Sequence, residues 1–155
     1  MDPLTDALDR HFMAQALEEA RQAYREGEIP IGAVVVCGDR IIGRGHNQTE
    51  RLTDVTAHAE MLAITAAAQN LGGKYLPDCT IYVTVEPCLM CSGALAWAQI
   101  GRVVYGTPDD KRGTHKAFGT TILSSPPLHP RTLVTAGVLA DECRLLMQSF
   151  FRSRR

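Results

Sequence analysis

The chain has 155 residues, 45% of them hydrophobic and 21% charged, with a formal net charge of −1. That is enough apolar content for one packed core, so whole-chain disorder is excluded and residues 1–155 are read as a single domain. No apolar run approaches the roughly 18 residues a membrane-spanning helix needs. The opening MDPLTDALDR is acidic and lacks an apolar signal core, so a cytoplasmic protein is expected. Five cysteines are an odd number, which points away from a disulfide framework and toward a metal site plus buried thiols. Charge is uneven along the chain. Residues 1–29 carry three Arg against seven Asp and Glu, and residues 102–155 carry nine Lys and Arg against four acids. The basic final third suits a local phosphate-binding surface, though a solvated face has the same composition.

In chain order, Asp6 to Glu26 reads as a helix with Leu8, Phe12, Leu17, Ala20 and Tyr24 near one face and Gly27 as its stop. Ile31 to Cys37 is a β-branched run, Gly38-Asp39 a hairpin turn, and Arg40 to Gly45 the returning strand. A polar loop over 46–55 leads to a helix from about Thr56 to Asn70, capped by Asp54 or Thr56 and stopped at Leu71-Gly72-Gly73. Thr80 to Val85 is a third strand, and Pro87 opens a helix that includes Trp97. Arg102 to Tyr105 and Arg131 to Thr135 read as two further strands, and Asp141 to Arg152 as a closing helix. The intervening 106–130 is long for a compact domain, and loops of that length are often functional. Alternating strands and helices imply a layered α/β sheet.

The chemistry concentrates in His58-Ala59-Glu60 and Pro87-Cys88-Leu89-Met90-Cys91. Two cysteines three apart at a helix start form a metal clip, because helix N–H groups favour thiolates. His58 adds a borderline nitrogen donor, and Cys2His is a zinc set. Three protein ligands leave the fourth tetrahedral position for water, where a structural site closes it with protein. Two thiolates roughly cancel the zinc charge and leave that water less acidic, so a nearby carboxylate, Glu60, is needed to take its proton. HAE alone is a weak signal, and CxxC alone suits redox or structural zinc chemistry. The combination in this order favours a catalytic zinc.

These segments resemble the zinc-dependent cytidine/deoxycytidylate deaminase superfamily. With Ile29-Pro30-Ile31-Gly32-Ala33-Val34, Ile100 to Gly106, Gly137 to Cys143 and the ending Phe150-Phe151-Arg152 with Arg154-Arg155, the chain is most similar to the bacterial tRNA-specific adenosine deaminases. The resemblance implies a three-layer α/β/α cytidine-deaminase-like fold on a five-stranded mixed sheet. It implies one Zn2+ per chain on His58, Cys88 and Cys91, with Glu60 as proton shuttle. It implies hydrolytic deamination of adenosine to inosine at the wobble position of a tRNA anticodon. The rivals are a deaminase of a free base or nucleoside (guanine, cytosine) and a non-catalytic zinc-stabilised binding module. By the same resemblance Asn47 meets the target base, Asp109 and Lys111 lie beside the RNA, and the chain pairs as a homodimer. Asn47 read alone is a loop or turn residue. Arg152, Arg154 and Arg155 are expected to meet phosphates of the anticodon stem-loop. The chain departs from the family at Val55, where proline is frequent, and at Thr114 to Phe118 and Leu128 to Arg131. Cys37, Cys79 and Cys143 read as buried thiols, Trp97, Met90 and Leu95 as core or interface, and His46, His115 and His129 as solvated loop histidines.

Overall fold

The computed structural model describes residues 2–109 and 128–154. Helix α1 (Pro3–Arg25) is capped by Asp2, whose carboxylate accepts the Leu4 N–H at 3.1 Å. A hairpin follows, β1 (Gly32–Cys37) and β2 (Arg40–His46), then α2 (Ala59–Leu71), β3 (Cys79–Val85), α3 (Leu89–Trp97) and β4 (Arg102–Thr107). Strand β5 (Leu133–Ala136) and helix α4 (Ala140–Ser153) complete the described elements. The sheet runs β2-β1-β3-β4-β5; β1 is antiparallel to both neighbours, while β3, β4 and β5 are mutually parallel.

The period-2 alternation of side chains sends each strand into two cores. Ala33, Val35, Ile81, Val83, Val103 and Tyr105 face α2 and α3. Val34, Val36, Tyr82 and Val104 face α1 and α4. Three layers result, as the sequence implies. The buried face of α1 is rotated from the expected one: it includes Asp9, Met13 and Ala16, and Leu8 is exposed. Small Ala16 and Ala20 let α1 sit directly on Gly32, where a Cβ would lie 2.1 Å from the Ala16 carbonyl. On the opposite face Gly45 does the same for α2: a Cβ there would lie 2.3 Å from the Ala59 carbonyl. This close seating holds the first turn of α2 against the sheet.

A buried ion pair ties α1 to the sheet. Asp9, 1% exposed, accepts from Arg102 at 2.8 and 2.7 Å and from the Tyr82 hydroxyl at 2.8 Å. Arg102 also donates to Thr135 at 2.9 Å, so one carboxylate joins α1, β3, β4 and β5. Removing one member of such a pair strands a buried charge, which costs about 3–5 kcal/mol. Arg102→Leu should lower the unfolding free energy by about that amount in urea titrations, and a loss under about 1 kcal/mol would show the clamp to be dispensable.

Two caps differ from expectation. The N-cap of α2 is His58, and Asp54 instead folds the turn ahead of it, its Oδ1 accepting the Thr56 N–H at 2.8 Å. The N-cap of α3 is Cys88, so Pro87 precedes the helix and holds the approach. In both cases the side chain that reads as a metal donor takes the cap position. Gly72, at φ +80°, ends α2 as the sequence suggests.

Candidate metal centre and active site

The parallel strand β3 delivers Pro87 and Cys88 at its C-terminal end, next to the start of α2, so two helix N-termini converge on one point. There His58 Nδ1 lies 3.7 Å from Cys88 Sγ and 3.5 Å from Cys91 Sγ. A tetrahedral zinc with Zn–S about 2.3 Å and Zn–N about 2.0–2.1 Å requires an S···N separation of about 3.6 Å. The donor set fits zinc without rearrangement. His58, Cys88 and Cys91 have ligand atoms all within 4.8 Å of one another, and the described residues place no fourth His, Cys or carboxylate in that set. That arrangement suits an open, catalytic geometry.

Glu60 sits in the first turn of α2, 4% exposed. Burial pushes its carboxyl up to about 7, reinforced by the nearby Cys88 and opposed by a backbone hydrogen bond and by His58. A carboxyl poised near neutrality can both accept and return a proton. Donation from Cys91 draws the Cys88 thiol down to about 4, and Cys91, hydrogen-bonded to Cys88 and buried, is pushed up. Thiols bind zinc as thiolates, so metal binding displaces any proton they still carry.

Asn47 is buried just past β2. Its Nδ2 donates to the Ile29 carbonyl at 3.2 Å and its Oδ1 accepts the Thr49 N–H at 3.3 Å. The amide therefore does act as a loop residue, with one of its N–H groups and one oxygen lone pair engaged in these contacts. Asp109 leaves β4 with its N–H donated to Glu86 Oε1 at 3.2 Å, one residue before Pro87. Lys111 and Arg155 lie outside the described residues, as do His115 and most of the 106–130 segment.

The two described arginines of the ending are not brought to the metal donors. Arg152 Nε turns back to the Gln148 carbonyl at 3.5 Å. Arg154 stacks on Phe150, 4.5 Å from the ring centroid, and its Nη2 would lie 3.2 Å from a side chain at Gly27. Arg154 thus flanks the segment that leads to Asn47's partners.

His46 corrects its reading as a solvated histidine: it is wedged between Glu19 of α1 (3.4 Å) and Glu26, which caps that helix (3.0 Å). Trp97 is 84% exposed and so is not core, whereas Leu95 is. Cys79 and Cys143 are buried thiols, and Cys37 is half-buried opposite Cys79. Sequence reasoning passed over three buried carboxylates, Asp9, Glu28 and Glu86. Glu28 lies in the segment between α1 and β1, and Glu86 in the one between β3 and α3.

Residues 6–107 match the model of the cytidine and deoxycytidylate deaminase zinc-binding region. The chain belongs to that family. It is 43% identical over 145 residues to the tRNA-specific adenosine deaminase of Agrobacterium fabrum, covering 94% of this chain and 95% of the relative. It is similar to a chain solved in a study of A-to-I editing by tRNA:A34 deaminases, with a TM-score of 0.81 and 43% identity over 88% of this chain and 98% of that one. A guanine deaminase from Bacillus subtilis matches with a TM-score of 0.60 and 38% identity, over 70% of this chain and 66% of that one. Zinc is the cofactor of this family of enzymes, and the His58, Cys88 and Cys91 geometry accommodates it.

Proposed function

We propose that the protein hydrolyses adenosine to inosine at the wobble position of a tRNA anticodon, releasing ammonia, in the cytoplasm. The observation that carries the substrate is the match along nearly the whole length of a relative named as a tRNA-specific adenosine deaminase. The buried Glu60 beside a three-donor zinc site carries the reaction class. His58 Nδ1 and the thiolates of Cys88 and Cys91 hold the zinc, which when bound supplies Lewis acidity that activates water. The Glu60 carboxylate would take one proton from the attacking water as its oxygen bonds to C6 and pass it to the adjacent adenine ring nitrogen; it would then take the second proton from that oxygen and deliver it to the amino group, so that the C6–N bond breaks, ammonia leaves and the oxygen remains as the inosine carbonyl. Asn47 orients the base through its side-chain amide. An anticodon loop presents unpaired bases, which lowers the cost of drawing one into the pocket.

Asp109 and Lys111 flank the RNA entry, and Arg152, Arg154 and Arg155 meet phosphates. The wild-type protein is expected to deaminate an unmodified anticodon stem-loop far faster than free guanine, cytosine or adenosine. Replacing the three arginines with alanine should weaken stem-loop binding and flatten its salt dependence, with turnover at saturation largely kept. Better turnover of guanine than of the stem-loop would move the reading to a purine-base deaminase, which the likeness to the guanine deaminase fold favours.

Pairing of two chains through α3 completes the proposal. Leu89, Met90 and Trp97 are exposed on this apolar helix, and Met90 and Trp97 share a face at i, i+7 spacing. Trp97→Asp should shift the species seen by light scattering from dimer to monomer, and an unchanged mass would place the interface elsewhere.

A further inference from the structure

We propose that Glu28 is a positioning residue for the base-binding side of the site, acting through the loop that joins β2 to α2. The proposal rests on the deaminase reading above and adds a residue to it. Glu28 is 2% exposed and follows the positive-φ Gly27 that ends α1. Its own N–H is tied to the Ala23 carbonyl at 2.9 Å. Both carboxylate oxygens are committed to one loop: Oε1 accepts the Glu50 N–H at 3.0 Å and Oε2 the Arg51 N–H at 2.7 Å. Consecutive backbone N–H groups aimed at the two oxygens of one carboxylate form a charge-assisted clamp, and an amide in its place puts a donor NH2 where the second acceptor oxygen stood.

The clamp matters because of what the loop carries at its ends. Asn47 lies at its start, with its side chain on the Ile29 carbonyl and its N–H on the Ile31 carbonyl at 3.0 Å. His58 lies at its end. Between them the loop closes on itself: Gln48 N–H donates to Ala57 O at 3.0 Å, Asp54 N–H to Thr49 O at 3.0 Å, and His58 N–H to Thr56 O at 2.8 Å. The segment 28–31 therefore grips this loop at Asn47 and again at 50–51. Glu28 touches neither base nor metal donor; it sets where Asn47 stands relative to His58, and so where a bound base stands relative to the zinc.

A double-mutant cycle tests this. Glu28→Gln keeps the side-chain volume and removes one acceptor. It should lower kcat/KM on the anticodon stem-loop by about tenfold or more, the equivalent of one hydrogen bond to a charged group, with zinc still at one per chain. In an Asn47→Ala background the same change should cost less than about twofold, because the residue it positions is gone. Amide exchange at Glu50 and Arg51 should accelerate about tenfold in Glu28→Gln while exchange in the β3 core stays unchanged. Wild-type kcat/KM in Glu28→Gln, or penalties that multiply in the double variant, would overturn the proposal. So would unchanged exchange at 50–51. If the wild-type protein fails on the stem-loop, the substrate reading falls alone; the cycle then runs on whichever of adenosine, guanine or cytosine is turned over, with the same outcomes deciding.

Discussion

Glu60→Ala protein is expected to retain about one zinc per chain and to lose deaminase turnover by roughly 10²–10⁴-fold or more, the range that a positioned proton-transfer group supplies. The expectation follows from where Glu60 stands. Its carboxyl is buried in the first turn of α2, two residues past His58 and outside the three-donor set. A ligand role is therefore not open to it without a change in the helix. Burial also lifts it to about 7, so at neutral pH it exchanges a proton at little cost. Glu60→Gln fills the same volume and separates proton transfer from packing. Equal, severe losses in both variants with zinc intact assign the proton to this carboxylate. Loss of zinc alongside activity would instead make Glu60 a determinant of the metal centre. Retained activity would reduce it to a first-turn acid that complements the helix dipole.

Cys88→Ser should show the opposite pattern, with zinc lost and activity lost as a consequence. Serine keeps the shape but does not ionise to a soft ligand, and Cys88 is the more acidic of the two thiols, drawn down to about 4 by Cys91. Affinity should fall by more than the roughly 10–100-fold that changes behind the ligands produce. Dialysis against a weak chelator followed by metal analysis reads this directly. Full zinc content in Cys88→Ser would remove the residue from the ligand set. Zinc affinity of the wild-type protein should rise with pH, because the thiol of Cys91, pushed up by Cys88 and burial, must ionise to bind the metal. A pH-independent affinity between mildly acid and neutral conditions would mean that both thiols ionise without the metal.

Much of this was legible in the sequence because it rests on local periodicity. The alternation in Ile31 to Cys37 and Thr80 to Val85 can be satisfied only by a strand with two different faces. The spacing of Cys88 and Cys91 fixes them on one turn whatever the rest of the chain does. The order HAE then PCxxC also names the family, and the distances around His58 agree with it. What was hidden depends on contacts between distant segments. Asp54 has the right chemistry for a helix cap, yet the turn at Thr56 claims it. His46 looks like a loop histidine until α1 supplies Glu19 and Glu26 on either side. Gly45 reads as the end of a strand, and its reason emerges only when α2 is laid against it. Glu28 is one acid among seven in the first 29 residues, and nothing local marks it as the one whose oxygens turn inward.

The two helix starts carry one more consequence. His58 and Cys88 stand at the cap positions of α2 and α3, and neither makes the side-chain hydrogen bond that a Ser, Thr, Asp or Asn cap would make. A bound metal would tie those first turns together across segments 30 residues apart in the chain. Binding to the folded form alone adds stability in proportion to the logarithm of free zinc over its dissociation constant, about 1.4 kcal/mol per decade. The melting temperature of this protein is thus a reading of the zinc concentration around it, and purification in strong chelators measures a different molecule from the one that edits.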